Sequence, residues 1–414
     1  MIKSLKIFFC LVFLLINSGF VIAQSSSSYS RIGIGDIVHS YSARKMVMGA
    51  GIALSDPDFI SVANPASLSK LNRTRLETGI AVNALFIKGN TQSSYNAEAE
   101  FNGVSIALPI SKDNGVGLAL GIIPYSNVSY EVVEDVTSTI LQGQEYKIYY
   151  EGRGGLSKLF IAASYTLPFD LTLGASLDYY FGNLKYISRA KFVDSRNLEA
   201  DYERTYSPKG TGTTIGVITP DLSGTFNSEK ITDFRFGISA SLVTEFDTDT
   251  LLTSTSNLGT DTIGIGLTNM KLPMRLNAGL SLLFNTNYLV TVDYIYQPWS
   301  KFEFNNRNNP YLRDAIMVSG GIEYKPTREP GSTFWEQIIW RAGLSFEQSQ
   351  YIINNVGINQ YSISGGLSLP LSPENTFDIG IQYSMRGTTD SNLFSENIFR
   401  LNVGVSLGEI WFIR

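Results

Sequence analysis

The chain has 414 residues, 32 basic and 37 acidic side chains, a formal charge of -5, one histidine and one cysteine. Charged residues are only 17 %, against roughly 25 % in ordinary soluble chains, while aromatics reach 12 % and there are 37 glycines. This balance excludes a basic face for nucleic acid, and a lone His39 and Cys10 exclude chemistry that needs His or Cys clusters.

The N-terminus reads as an address. Lys3 and Lys6 precede an unbroken apolar run from Ile7 to Ile16, and Val21-Ile22-Ala23 follows with the small-residue spacing of a cleavage site. The run is shorter than the roughly 20 residues of a spanning helix. Residues 1–23 are therefore expected to be a secretory signal peptide. Cys10 leaves with it, so the mature chain has no thiol.

Residues 24–73 differ from everything after them. They open on a polar stretch, Ser25–Ser30, expected to be flexible, and continue rich in Gly, Ala and Ser. No long period-2 alternation appears, which predicts loops and short helical turns. From Arg75 onward, strand signals repeat. Phe399, Leu401, Val403, Val405 and Leu407 alternate with Arg400, Asn402, Gly404 and Ser406. Segments 377–385 and 171–179 alternate in the same way, and weaker cases fall near 75–87, 101–110, 115–130, 156–167, 206–218, 232–246, 272–284, 287–303, 313–325, 340–350 and 361–371. Together they predict about fourteen strands over residues 74–414.

The connections alternate in length. Ser111–Asn114, Pro168–Asp170, Asn285–Asn287 and Ser372–Asn375 are tight. Longer polar stretches, read as loops, lie near 187–205, 250–268, 304–312, 351–360 and 387–397. Short turns on one side and long loops on the other are the signature of an outer-membrane barrel. Segments 219–231 and 326–339 are longer than this rule predicts. One face of each strand is apolar, and the other is Gly, Ser, Asn and Thr with scattered charge, which suits a crowded lumen better than a water-exposed surface. The expected fold is all-β: a transmembrane outer-membrane β-barrel of about 14 antiparallel strands, closed so that every backbone group is satisfied in lipid, with an N-terminal plug in the lumen. Tyr294, Tyr296 and Trp299 at one strand end, and Trp411-Phe412 at the terminus, are expected at the membrane interfaces.

Single residues carry further expectations. Pro124 interrupts the third strand, either as a kink that opens the wall sideways or as a strand end. By parity Arg235, Arg275, Arg341, Arg400, Lys158, Asp178, Asp293, Glu323 and Asp378 face the lumen. They either pair with one another or supply an arginine for a ligand carboxylate. Met46, Met48 and Phe59, with Ile52, Leu54 and Ile60, either line an apolar pocket or form the plug's own core. Asp247, Asp249 and Asp261 lack calcium-loop spacing. No metal, cofactor or enzymatic role is expected.

Three features together resemble the FadL/TodX family of outer-membrane channels for hydrophobic compounds. They are Ala63-Asn64-Pro65-Ala66 just before the first strand, Tyr296-Gln297-Pro298-Trp299-Ser300-Lys301-Phe302, and the terminal Leu407-Gly408-Glu409-Ile410-Trp411-Phe412. The combination looks most like members from Bacteroidota, where the secretion-system protein PorV belongs to the same family. The resemblance implies a hatch containing Asn64, Pro65 and Ala66, which are equally a structural turn. It also implies a fatty-acid-like ligand that crosses the Gram-negative outer membrane and leaves sideways into membrane lipid. The expected function is therefore a channel for passive uptake of long-chain fatty acids or other hydrophobic small molecules; the alternative is a non-transporting barrel that serves other outer-membrane proteins, as a type IX secretion shuttle or an accessory subunit of an assembly machine.

Overall fold

The computed structural model describes residues 27–58, 60–90, 92–137, 145–192, 200–226, 228–257, 259–326 and 332–409. The expected signal peptide, Phe59 and Trp411-Phe412 lie outside these residues.

Nineteen strands are described, in chain order: β1 (Asp36–Ile37), β2 (Thr74–Lys88), β3 (Ser93–Ser111), β4 (Val116–Thr137), β5 (Glu145–Thr166), β6 (Thr172–Phe192), β7 (Ala200–Ile218), β8 (Ile231–Val243), β9 (Phe246–Ser256), β10 (Gly259–Lys271), β11 (Arg275–Phe284), β12 (Tyr288–Gln297), β13 (Glu303–Phe304), β14 (Arg307–Asn308), β15 (Ala315–Tyr324), β16 (Ile339–Ile353), β17 (Val356–Pro370), β18 (Thr376–Gly387) and β19 (Ser395–Glu409). Fourteen of them form the wall. Each pairs antiparallel with its neighbour from β2 to β8, then β11, β12 and β15 to β19. The ring closes where β19 pairs with β2 from Glu409↔Thr74 to Ser395↔Lys88. All fourteen expected strands are present. Outward side chains such as Ile161, Ile238 and Leu344 are more than 60 % exposed. In water such a belt would be costly at roughly 25 cal/mol per Å²; in lipid it is what an outer-membrane barrel presents.

The outer stretches differ from the loops that composition suggests. Residues 246–271 form the β9–β10 hairpin. β6 and β7 pair as far as Ala190↔Ala200, and β16–β17 closes at Ile353↔Val356. Most of the β9–β10 hairpin is exposed on both faces, so it carries Thr, Ser and charge without a period-2 apolar signal, whereas Tyr351, Ile353 and Ile358 of the β16–β17 extension are buried.

The leading segment lies in the bore. Its helix α1 (Ala43–Met48) is capped by the Ser42 hydroxyl, which accepts from Lys45 N–H, and it packs on β15 to β19. A 3₁₀ turn, Pro65–Lys70, packs on β3 to β7. The intervening residues reach β8, β11 and β12 through Ile52 and Ala53. Of the opening stretch, Ser27–Ser30 is anchored rather than flexible: Ser28–Arg31 is a 3₁₀ turn, and the buried Ser27 hydroxyl donates to Glu396 at 3.0 Å.

Wall glycines allow this fit. A Cβ on Gly174 would sit 2.1 Å from Ala66 N, and one on Gly216 would sit 1.9 Å from Asn64 Oδ1. Backbone-to-wall packing at this range excludes any side chain.

Candidate functional site

The centre of the molecule is the contact between the leading segment and the wall, built from charges on both. Arg44 of α1 reaches Glu323 of β15 at 2.8 Å and Asp56 at 2.9 Å. Glu323 also takes Arg341 of β16 at 2.6 Å, and Arg341 approaches Asp378 of β18 at 3.6 Å. Arg44, Glu323 and Arg341 are all buried. Lys325 joins Asp58 at 2.9 Å, and Arg75 pairs with the same carboxylate. On the outer side Arg386 of β18 bridges Glu396 of β19 at 2.7 Å and Asp36 of β1 at 3.0 Å. The Tyr351 hydroxyl donates to Asp36 at 2.8 Å.

Hydrogen bonds to backbone complete the docking. Asp293 of β12 accepts the Gly51 and Ile52 N–H groups at 2.8 and 2.9 Å. Thr291 and Ser281 donate to the Met48 and Ala53 carbonyls. Asn64 caps its own turn by accepting Ala66 N–H at 3.1 Å, and its amide donates to Ile52 O at 2.7 Å and to Val217 O at 3.2 Å. Asn64, Pro65 and Ala66 are thus a buried turn fastened to the wall. Met48 is buried against Gly321, whereas Met46 borders a cavity and also touches Gly380.

Electrostatics follow burial. Burial raises the Asp56 carboxyl, but Arg44 and then Lys325 outweigh it and hold it well below the usual carboxylate range. Burial lowers the Lys45 ammonium to about 8, although Glu77 at 3.5 Å opposes the shift. His39 faces Glu347 at 3.6 Å.

The lumen charges read from parity mostly pair. Lys158–Asp178 stand at 3.4 Å and Arg235–Asp233 at 2.7 Å. Arg275 donates to Gln297 at 3.2 Å and Arg400 to Asn83 at 2.7 Å. Sequence reading missed Arg386 and Glu396. Arg386 shares the inward parity of Gln382 and Ser384, so the signal was there. Arg44 and Asp36 sit in elements too short for a periodicity to place them, and Asp56 sits in irregular chain.

Free space beside the leading segment is small, and a larger, mostly apolar recess of about 570 Å³ lies on β5 to β8 at Leu159, Ile161, Leu177, Tyr179 and Leu242. One cavity of about 120 Å³ lies between the leading segment and β2, β3 and β16 to β19, bordered by Lys45, Met46, Glu98, Glu347, Arg386 and Arg400. Another, about 60 Å³, lies beside Pro124, Tyr125 and Arg275. Ligand pockets usually measure roughly 300–1,000 Å³.

The wall has one split. The β3–β4 ladder runs from Ser111↔Val116 to Val104↔Ile122 and then stops among the described residues. Pro124 lies two residues further, beside a register shift between Pro124 and Ser126 on the β5 side. Above Ile122, β3 continues on β2 alone. The leading segment fills the vacated edge of β4: β1 pairs Asp36↔Asn127 and Ile37↔Ser126, and Val38 N–H donates to Tyr125 O at 3.0 Å. Asn127 reaches across to Glu98 at 3.3 Å and to Glu100.

Trp299 is not an interface ring. β12 ends at Gln297, and Pro298 turns the chain inward, so the indole is buried 5.7 Å from the Phe302 ring. Tyr294 is outward and 44 % exposed.

A closed fourteen-stranded cylinder with an apolar exterior, a polar interior and an occupied bore is an outer-membrane β-barrel of the FadL/TodX fold. Its similarity to solved structures is of that kind. The toluene transporter TbuX of Ralstonia pickettii superposes with a TM-score of 0.59 at 15 % identity, covering 89 % of this chain and 98 % of that one. A FadL homologue of Pseudomonas aeruginosa gives 0.58 at 11 %, covering 90 % and 99 %. The Pseudomonas putida toluene transporter TodX gives 0.57 at 16 %, covering 91 % and 100 %. The sequence matches the BamG family over residues 1–414, and the chain belongs to that family. No curated protein matches it in sequence.

Proposed function

We propose that this protein is a sealed outer-membrane barrel that works by holding other proteins of that membrane, as an accessory subunit of an outer-membrane assembly machine. One observation carries the reading: the bore is filled by its own leading segment, pinned by buried ion pairs, and the cavities left beside that segment, about 120 and 60 Å³, are small. A conducting route for a hydrophobic molecule needs a continuous apolar path. Moving the hatch at each passage would separate several buried ion pairs together, so the docked arrangement is the favoured one. At 11–16 % identity, the channels share a fold with this chain, and a fold does not fix a function. In this reading residues 24–73 are a hatch that stays docked, with Asn64, Pro65 and Ala66 as its anchor. Residues 1–23 are removed on export.

Purification in mild detergent tests it. The barrel should leave the membrane in fixed stoichiometry with other outer-membrane proteins and should not bind radiolabelled oleate. A monomer that binds oleate stoichiometrically would refute the proposal.

A second reading, uptake of fatty-acid-like molecules with sideways exit into lipid, is favoured by the wall split beside Pro124. Here Met46, which borders the cavity, would face the ligand, with Met48 packed behind it against Gly321. Pro124→Val should lower oleate uptake in a complemented deletion strain under this reading, and leave it unchanged under the first.

A further inference from the structure

The outermost strand, β10, has an open edge. One side pairs with β9 from Gly259↔Ser256 to Met270↔Phe246, and β9 in turn extends the sheet from β7. On its other side β10 is paired, among the described residues, only at Met270 and Lys271, with Phe304 and Glu303 of β13. Asn305 N–H donates to Asn269 O at 2.9 Å, closing that end. The β9–β10 register shifts between Thr262 and Gly264, so Ile263 is bulged and marks the other end. Between them Gly264–Thr268 has no backbone partner on that side among the described residues.

Its side chains do not protect it. Edge strands are normally blunted by Lys, Pro or charge, because a free row of N–H and C=O groups templates further pairing. Thr262–Asn269 carries no charged residue and no proline. Ile265 and Leu267 are 84 % and 83 % exposed, beyond any other large apolar side chain among the described residues. Both stand on one face, opposite Leu251 and Asp249. On the other face a Cβ at Gly266 would meet nothing within 4 Å.

We propose that Gly264–Thr268 is a docking edge that takes one extended strand of a different protein exposed at the outer surface. The strand adds about five residues to the sheet by backbone hydrogen bonds. Its apolar side chains alternate onto Ile265 and Leu267, and small or polar ones onto Gly264 and Gly266. β13 already forms the first rungs on this edge, so the incoming strand continues an existing pairing. A second copy of the chain fits poorly. Paired antiparallel over Gly264–Thr268, its own Gly259–Ile263 would run along positions held by β13. The inference rests on the partner-binding reading and places the contact within it.

The test uses the full chain in its native cells, with a photo-crosslinking residue at Ile265 or Leu267, at Tyr311 on the outer loops, and at Ile381 on the lipid-facing wall. The expected result is one crosslinked protein species from 265 and 267, mapping to an extended segment. Amides of 264–268 should exchange about 30-fold more slowly in outer-membrane fragments than in the purified barrel. The I265K/L267K double variant should abolish both effects while the barrel keeps its heat-modifiable mobility. Crosslinks only to lipid or to a second copy, or equal exchange in both preparations, would overturn the proposal. Protein crosslinks from 311 but not from 265 or 267 would overturn the edge alone. No protein crosslink from any outer position would overturn the partner-binding reading itself.

Discussion

Replacing Asp293 with alanine is the sharpest probe of how firmly the leading segment is held. The buried carboxylate accepts Gly51 N–H at 2.8 Å and Ile52 N–H at 2.9 Å. A hydrogen bond to a charged group contributes about 1.5–3 kcal/mol, so losing two costs about 3–6 kcal/mol. At 1.36 kcal/mol per decade, the population of the undocked segment should rise by about 10² to 10⁴. Hydrogen exchange at the 49–53 amides, measured in detergent, reads that population directly. Asp293→Asn keeps one acceptor oxygen and should give about half the loss in free energy. The wall ladder does not run through this side chain, so heat-modifiable mobility should persist in both variants. A change in exchange below about fivefold for Asp293→Ala would refute the claim that these bonds pin the segment.

Two further outcomes follow from the same docking. Burial lowers Lys45 from 10.5 to about 8, so the folded chain binds fewer protons than the unfolded one between these values. Stability should therefore be flat below pH 8, rise from 8 to about 10.5 by ~3 kcal/mol, and level off, with Lys45→Met removing the rise. Heat-denaturation midpoints across pH 7–11 check this, and a midpoint that falls equally in both proteins contradicts it. Gly174→Ala would place a Cβ 2.1 Å from Ala66 N, whereas Gly320→Ala would meet nothing closer than 3.7 Å. The first should speed tryptic cleavage in the leading segment and cost about 1–3 kcal/mol; the second should leave cleavage unchanged.

The barrel itself was legible in the sequence because lipid on one side and a crowded lumen on the other impose a strict period of two. That period appears in Phe399–Leu407 and thirteen other stretches, and it also placed Glu323, Arg341 and Asp293 on the inner face. The same rule was silent where both faces are in water. Residues 250–268 therefore read as a loop, although they form most of a hairpin with an unpaired edge. It was silent again in the leading segment, where no periodicity tells which wall residue a given turn will meet. Only the tertiary structure decided that Arg44 finds Glu323, that Asp36–Ile37 fills the split beside Ile122, and that Trp299 turns inward after Pro298. Local sequence sets which face a strand residue takes; which irregular segment lands against it depends on ion pairs, hydrogen bonds and packing between residues hundreds of positions apart, and only the folded chain brings those together.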